Sequence, residues 1–541
     1  MRSSNVCGVL GAVLLLAGRA AAQAPSDSAR LAKLKADAAA DVESRAKMTQ
    51  EMIDQVFSFG ELGFQEFETS KYLVGILRQN GFAVKEGIAG IPTSWVATWG
   101  SGKPVIALGS DLDGIPQASQ VPGVACHKPL IPGAPGHGEG HNSGQPVNIT
   151  AALAVKRIME REHLPGTIIL WPGVAEEQLG TKAYLVREGL FANADAVLFA
   201  HVADKLQTSW GAPEGSGLVS VLYTFQGQAA HAASQPWRGR SALDAVELMD
   251  VGWNFRREHL PLEQRSHYVI PNGGDQPNVV PATASVWYYF RELDYPRIKW
   301  LWAVGDSMAQ GAALMTGTTL ASERVLGSAW PGHFNRPIAE AMTENMKRVG
   351  VPKWSGADQQ LARAVQTELK QPVIGLDTAL DSLRPPPKVN QGGGSDDIGD
   401  VSWNVPTVVL HYPSNIPGVT YHHWSAAIAM ATPLAHKGAT AGAKVQAMTM
   451  LDLLLRPALR DSAWSYFKNV QTKDVKYASL LRPEDRPATE LNADILARYR
   501  PEMKKYYYDP KKYSSYLEQL GIAYPTLRSA DGSCGGSPAV P

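Results

Sequence analysis

Cysteine is nearly absent from this chain: three residues in 541, at Cys7, Cys126 and Cys534. That excludes a disulfide-stapled scaffold, so stability has to come from a buried core. Neither sign of charge is in excess, since Lys+Arg and Asp+Glu both total 51. A balanced chain has no global field to gather nucleic acid or an anionic membrane, and no long Lys/Arg run supplies a local one. Beyond the N-terminal segment, long apolar runs are also lacking, which excludes a helical membrane span.

What is present begins with an export signal. Arg2 gives a short positive start, and Val9 to Ala17 form an apolar stretch too short to span a bilayer. Ala20, Ala21 and Ala22 then form an A-x-A cleavage site before Gln23. The expectation is a signal peptide over residues 1–22 and a periplasmic or secreted product. Cys7 precedes the apolar stretch and so is not placed as a lipoprotein cysteine. Cleavage leaves Cys126 and Cys534, which export would permit to pair; the sequence does not say whether they meet.

With 44% hydrophobic residues, a chain this long can fill two or more domains. Residues 23 to about 45 are Ala-, Asp- and Lys-rich and read as a helical or frayed lead-in. Thr69 to Asn80 reads as a helix that Gly81 stops, and Thr150 to Arg161 as another. Val105–Leu108, Thr167–Trp171, Ala196–Ala200 and Thr407–Leu410 are short apolar runs of buried-strand type. Their alternation with helices predicts a mostly parallel α/β sheet.

The texture changes near Gly217. Leu218–Phe225 and Ala284–Leu293 alternate like half-buried strands. Ser241–Arg257 and Pro296–Met315 read as helices, the first opened by a capping box of Ser241 and Asp244. Two strands and two helices predict a small α+β insertion. The expected division is 23–216 and 329–460 for a catalytic domain, 217–328 for the insertion, and 461–541 for a C-terminal extension with a disordered tail from Gly532.

Hydrolysing an unactivated amide needs a nucleophilic water, a polarised carbonyl and a proton shuttle, and paired metal ions supply the first two. Suitable ligands cluster after successive strands, where α/β ligand sites sit. Gly136-His137-Gly138-Glu139-Gly140-His141-Asn142 sets two imidazoles and a carboxylate among glycines that let the loop bend. Glu176-Glu177 follows a strand and a Pro172-Gly173 turn, and two adjacent carboxylates need something to offset their repulsion. His201 follows the strand ending at Ala200, and Tyr421-His422-His423-Trp424 follows a Pro417-Gly418 turn.

Together these motifs resemble the aminoacylase-like metallopeptidases and amidohydrolases, and within them the aminobenzoyl-glutamate hydrolase B-subunit group. The resemblance runs over about residues 45 to 460. It is carried by Glu61-Leu62-Gly63-Phe64-Gln65-Glu66, Ser110-Asp111-Leu112-Asp113-Gly114-Ile115-Pro116, Gly136 to Asn142, Ala175-Glu176-Glu177 and Ala230-His231-Ala232-Ala233. Pro277-Asn278-Val279-Val280-Pro281 and Asp400-Val401-Ser402-Trp403 follow in order. It implies a zinc-peptidase-like α/β catalytic domain with an inserted α+β lid and dimerisation domain, hence a homodimer.

It also implies roles. Glu176 is the general base. Glu139, His141, Glu177, His201 and His422 (or His423 in its stead) hold two divalent metal ions. Asp111 and Asp113 orient a ligand. His231 stabilises the oxyanion in a partner subunit's site. Asn278 and Arg291 grip a substrate carboxylate. Relatives of this group usually carry cysteine at the place of Glu139. An oxygen donor there makes an all-N/O site suited to zinc or manganese. The expected substrate is an N-acyl or N-aroyl amino acid or a small peptide-like amide. The alternatives are a carboxypeptidase or dipeptidase of the same fold, or a non-catalytic binding protein that retains it.

Overall fold

The computed structural model describes residues 24–529 and 531–535. The expected signal peptide, residues 1–22, lies outside the described residues. Eleven strands are present among them: β1 Ala83–Glu86, β2 Trp95–Ser101, β3 Val105–Asp111, β4 Gly166–Gly173, β5 Ala196–Ala203, β6 Gln207–Thr208, β7 Gly217–Gln226, β8 Arg265–Asn272, β9 Thr283–Glu292, β10 Thr319–Ala329 and β11 Thr407–Pro413.

They form two sheets, the larger with seven strands in the order β1-β2-β4-β3-β5-β11-β6. Its centre, β4-β3-β5-β11, is parallel, while β1-β2, β2-β4 and β11-β6 pair antiparallel. The sheet is therefore mixed, and parallel only where the apolar runs read as buried strands. Every residue of β3 is buried, as helices on both faces of a parallel sheet require. The helices Gly144–Glu162 and Pro433–Leu455 pack together on one face with the lead-in helix Ala24–Ser44. Because the central strands run the same way, their carboxyl ends open on one edge of the sheet.

The smaller sheet is antiparallel, in the order β10-β7-β9-β8. Helices Ala242–Arg257 and Tyr295–Thr316 share a core with it built on Trp253, Tyr288 and Phe290. This sheet has four strands where the sequence reading had two. The edge strand β8 buries almost none of its side chains, and β10 carries Glu323 and Arg324, so neither shows clear alternation. At Ser241, only half of the expected capping box forms: its hydroxyl accepts the Asp244 N–H at 3.2 Å.

Beyond residue 456, the chain forms helices Pro457–Tyr466, Ala493–Met503 and Tyr516–Leu520 and runs across both domains. A disulfide joins Cys126 to Cys534, with the Cα atoms 6.2 Å apart. An isolated bridge pairs Arg528 with Cys534; of the tail expected to be disordered from Gly532, residues 536–541 lie outside the described residues.

Candidate metal centre

The ends of β3, β4, β5 and β11 bring the sequence-predicted ligands together. β3 ends at Asp111, and Asp113 follows. β4 feeds the short turn Glu176–Gln178, β5 carries His201, and the loop after β11 carries His422. His141 opens the helix Gly144–Glu162 through a 3₁₀ turn, with Glu139 just before it.

At the centre, His141 Nε2 and His201 Nε2 face each other 3.3 Å apart. His141 Nδ1 lies 3.1 Å from the Asp113 carbonyl and 3.4 Å from the Asp113 carboxylate, which fixes the ring. Asp113 also accepts the Glu177 N–H at 3.0 Å. His201 Nδ1 lies 2.8 Å from the Val202 carbonyl, and its Nε2 lies 3.7 Å from Glu139. His422 Nε2 reaches Glu139 at 2.8 Å and Glu177 at 3.0 Å. The structure brings His422, not His423, to the carboxylates: the His423 ring turns to the Ser425 hydroxyl at 2.9 Å. His422 has φ +55°, a left-handed conformation uncommon for a side chain of this size.

The atoms of these residues suit divalent cations. The donor atoms of Glu139, Glu177 and His422 lie within 4.8 Å of one another, and so do those of Asp111, His141 and His201, and of His141, Glu176 and Glu177. Glu177 Oε1 is buried and accepts no hydrogen bond, and two imidazole nitrogens aimed at one point call for a cation between them.

Electrostatics points the same way. Hydrogen bonds to Glu139 and Glu177 push His422 up to about 10. Burial pushes the Glu139 carboxyl up, but His422, His141 and His201 outweigh it and bring the group down to about 2. Burial opposes charge on His141, yet Asp113, Asp111 and Glu177 hold it well above the usual imidazole range. Burial, then Asp396 and Asp111, push Glu176 well above the usual carboxylate range.

Asp111 has a second partner that the sequence did not signal. Lys182, fully buried, lies 2.6 Å from Asp111, 3.3 Å from Asp396 and against Asp397. A single Lys at the start of the short helix Lys182–Arg187 carries no pattern, so only the fold reveals it. His411, beside His201 on the neighbouring strand, was also missed, because on the apolar strand β11 it reads as a core residue.

The cluster closes one end of a cavity of about 480 Å³. Arg291 lines the same cavity, with Nη1 2.8 Å from the Ser395 hydroxyl and the guanidinium 5.3 Å from the Tyr289 ring centroid. Five predicted residues do not line this cavity: Asp111, Asp113 and His141 are buried, while His231 and Asn278 are exposed on the smaller domain. His231 Nδ1 accepts the N–H groups of Ala233 and Ser234 at 3.2 and 3.3 Å, so the ring proton sits on Nε2.

A parallel-centred sheet with candidate imidazole and carboxylate ligands at its carboxyl edge, and an α+β insertion beside them, is the arrangement of a class: metal-dependent hydrolases. The model for the M20 peptidase dimerisation domain matches residues 214–301. The chain is 33% identical over 447 residues to the B-subunit of p-aminobenzoyl-glutamate hydrolase of Escherichia coli (strain K12), covering 77% of this chain and 91% of that one. It is 28% identical over 455 residues to Xaa-Arg dipeptidase of Mus musculus, covering 83% and 96%. The crystal structure of an aminobenzoyl-glutamate utilization protein from Klebsiella pneumoniae shares the fold, with a TM-score of 0.51 at 16% identity over 76% of this chain and 96% of that one. The chain belongs to the M20 family of metal-dependent hydrolases, and it is an amidohydrolase.

Proposed function

We propose that this chain is an exported homodimer that hydrolyses the amide bond of an N-acyl or N-aroyl amino acid, or a small peptide-like amide, using two zinc or manganese ions. The observation that carries this reading is the convergence of Glu139, His141, Glu177, His201 and His422 beside Glu176, at a cavity that all of these but His141 line together with Arg291. When bound, the two cations polarise the scissile carbonyl and acidify the attacking water. Glu176 takes that water's proton at a carboxylate oxygen and delivers it to the leaving amine. Arg291, and Asn278 from the lid, orient a substrate carboxylate. His231 Nε2–H, exposed on the lid, donates to the oxyanion in the partner's site. Asp113 holds His141 and the Glu177 backbone in place, while Asp111 sits behind the ligands on Lys182.

Manganese or zinc is favoured because every candidate donor is nitrogen or oxygen. Dimerisation through the insertion is supported by Phe255, Leu262 and Leu314, exposed by 76%, 91% and 84%. Export is supported by the Cys126–Cys534 disulfide, a bond that persists in oxidising compartments. The proposed division keeps 23–216 and 329–460 as the catalytic domain and 217–328 as the insertion.

The test is metal content per chain, paired with amine release from a panel of N-acyl and N-aroyl amino acids and dipeptides. We expect about two ions per chain, and release that Glu176→Ala abolishes without loss of metal. No bound metal and no release after metal is added back would sink the reading. Release from dipeptides alone would make the enzyme a dipeptidase.

A further inference from the structure

The turn that carries Glu176 and Glu177 is held in an uncommon shape. Ala175 and Leu179, at its two ends, both sit in the left-handed region, at φ +51° and +53°. Such a conformation persists in non-glycine residues only where the surroundings over-determine it. Part of that restraint comes from the catalytic domain: the Ala175 N–H donates to Glu66 at 2.9 Å and the Glu177 N–H to Asp113. The rest is the packing of the loop Glu61–Glu66, to which Glu66 itself belongs, against the turn. Gly63 lies so close to the turn that a Cβ on it would stand 2.8 Å from the Ala175 Cα. The same loop bridges Leu62 to Gly114, and the next residue, Ile115, bridges to Gly136 at the start of the Glu139–His141 loop. Both ligand loops therefore lean on it.

What holds the loop from behind is the C-terminal extension. Asn492 Nδ2 donates to the Gly63 carbonyl at 3.0 Å and lies 3.4 Å from Gln178 Oε1, the residue after Glu177. Arg500 Nη2 donates to Glu61 at 2.9 Å and to the Gln65 carbonyl at 2.8 Å. Gln65 Nε2 donates in return to the carbonyls of Thr489 and Leu491, at 3.2 and 2.9 Å. Ala488 completes a small apolar core with Phe64, Val174, Ala175 and Leu326, which come from the loop, the turn and the lid. Glu61 is almost wholly buried, so Arg500 is a specific partner and not a surface pairing.

We propose that Asn492 and Arg500 are positioning residues for the metal centre: through the Glu61–Glu66 loop they hold the Glu176–Glu177 turn in its ligating shape. The inference goes beyond the proposed function but rests on its reading of Glu177 as a ligand and Glu176 as base. Neither residue touches substrate or reacting atoms. The extension is thus a backing plate for the centre and not merely a surface tail.

The experiment titrates metal-stripped full-length protein with Mn²⁺ and with Zn²⁺, alongside kcat and KM. Asn492→Gly is the clean variant, because Asn492 itself has φ +64°, which glycine adopts freely while losing only the amide. Arg500→Ala and Arg500→Lys accompany it, with Arg482→Ala as control. Arg482 pins the same extension to the lid through Glu323 at 3.0 Å but has no bond to the loop. We expect Asn492→Gly and Arg500→Ala to weaken metal binding about tenfold and to lower kcat about tenfold, with KM little moved, and Arg500→Lys to recover part of both. Arg482→Ala should leave metal affinity within about twofold, by the same reasoning. Unchanged metal affinity in Asn492→Gly and Arg500→Ala, whatever happens to melting temperature, overturns the assignment. So does an equal loss in Arg482→Ala, which would make the extension a general brace. A wild-type chain that binds metal but hydrolyses nothing would count against the proposed function alone, since the affinity comparison still decides this one.

Discussion

By the family resemblance Glu139 stands at a thiolate position, and it does so in contact with two of the candidate imidazoles, His201 and His422. A carboxylate is a harder donor than a thiolate, so Glu139→Cys should shift preference from manganese toward zinc. Competition between the two ions for metal-stripped protein measures this; an unchanged ratio would mean that Glu139 does not set the preference. Asp400 gives a second residue-level expectation. It accepts from the Tyr477 hydroxyl at 2.7 Å and the Trp330 N–H at 3.0 Å, but burial dominates and pushes its carboxyl up to about 7. A folded-state value above the unfolded one means that the folded chain holds the proton longer. The associated stability is complete below about pH 4 and is lost as pH rises through about 7. Melting the wild type and Asp400→Asn from pH 5 to 8 should show the wild type losing stability relative to the variant. Parallel curves would mean that Asp400 ionises without cost.

At the scale of elements, the candidate ligands stand where they do because four parallel strands end on one edge. The turn after β4 depends on the close approach of Gly63. In Gly63→Ala the new methyl meets the Gln178 side-chain oxygen, which can move, and the Ala175 Cα and Cβ, which cannot swing aside as a side-chain end can. We expect a loss of about 1–3 kcal/mol in stability together with weaker metal binding. Denaturant unfolding and metal titration check the two effects separately, and a stable variant with intact affinity would show that the turn tolerates displacement. The apolar runs of β3, β4, β5 and β11 are legible in sequence because strands buried on both faces have to be apolar along their length. β8 and β10 are not legible, because an exposed edge strand and a strand carrying ion pairs have no hydrophobic period.

For the molecule as a whole, the exposed positions of His231 and Asn278 matter most. If His231 serves the partner's site, chains carrying His231→Ala and chains carrying Glu176→Ala complement each other. A mixed dimer then has one site with both groups intact, and mixing inactive variants should restore up to about a quarter of wild-type turnover. No recovery, with exchange of subunits verified by mass, would confine His231 to its own chain.

The order of the motifs along the chain, the α/β class of the fold and the residue types grouped after successive strands were all set by the sequence itself. They reflect local demands: apolar runs for buried strands, glycines for bending loops, carboxylates and imidazoles for a cation. Which groups meet was decided only by tertiary structure. The choice of His422 over His423, the burial of Lys182 against Asp111, the pairing of Cys126 with Cys534 and the reach of Arg500 back to Glu61 all join residues distant in the chain. No local pattern encodes such contacts; they follow from how the sheet, the insertion and the C-terminal extension close on one another.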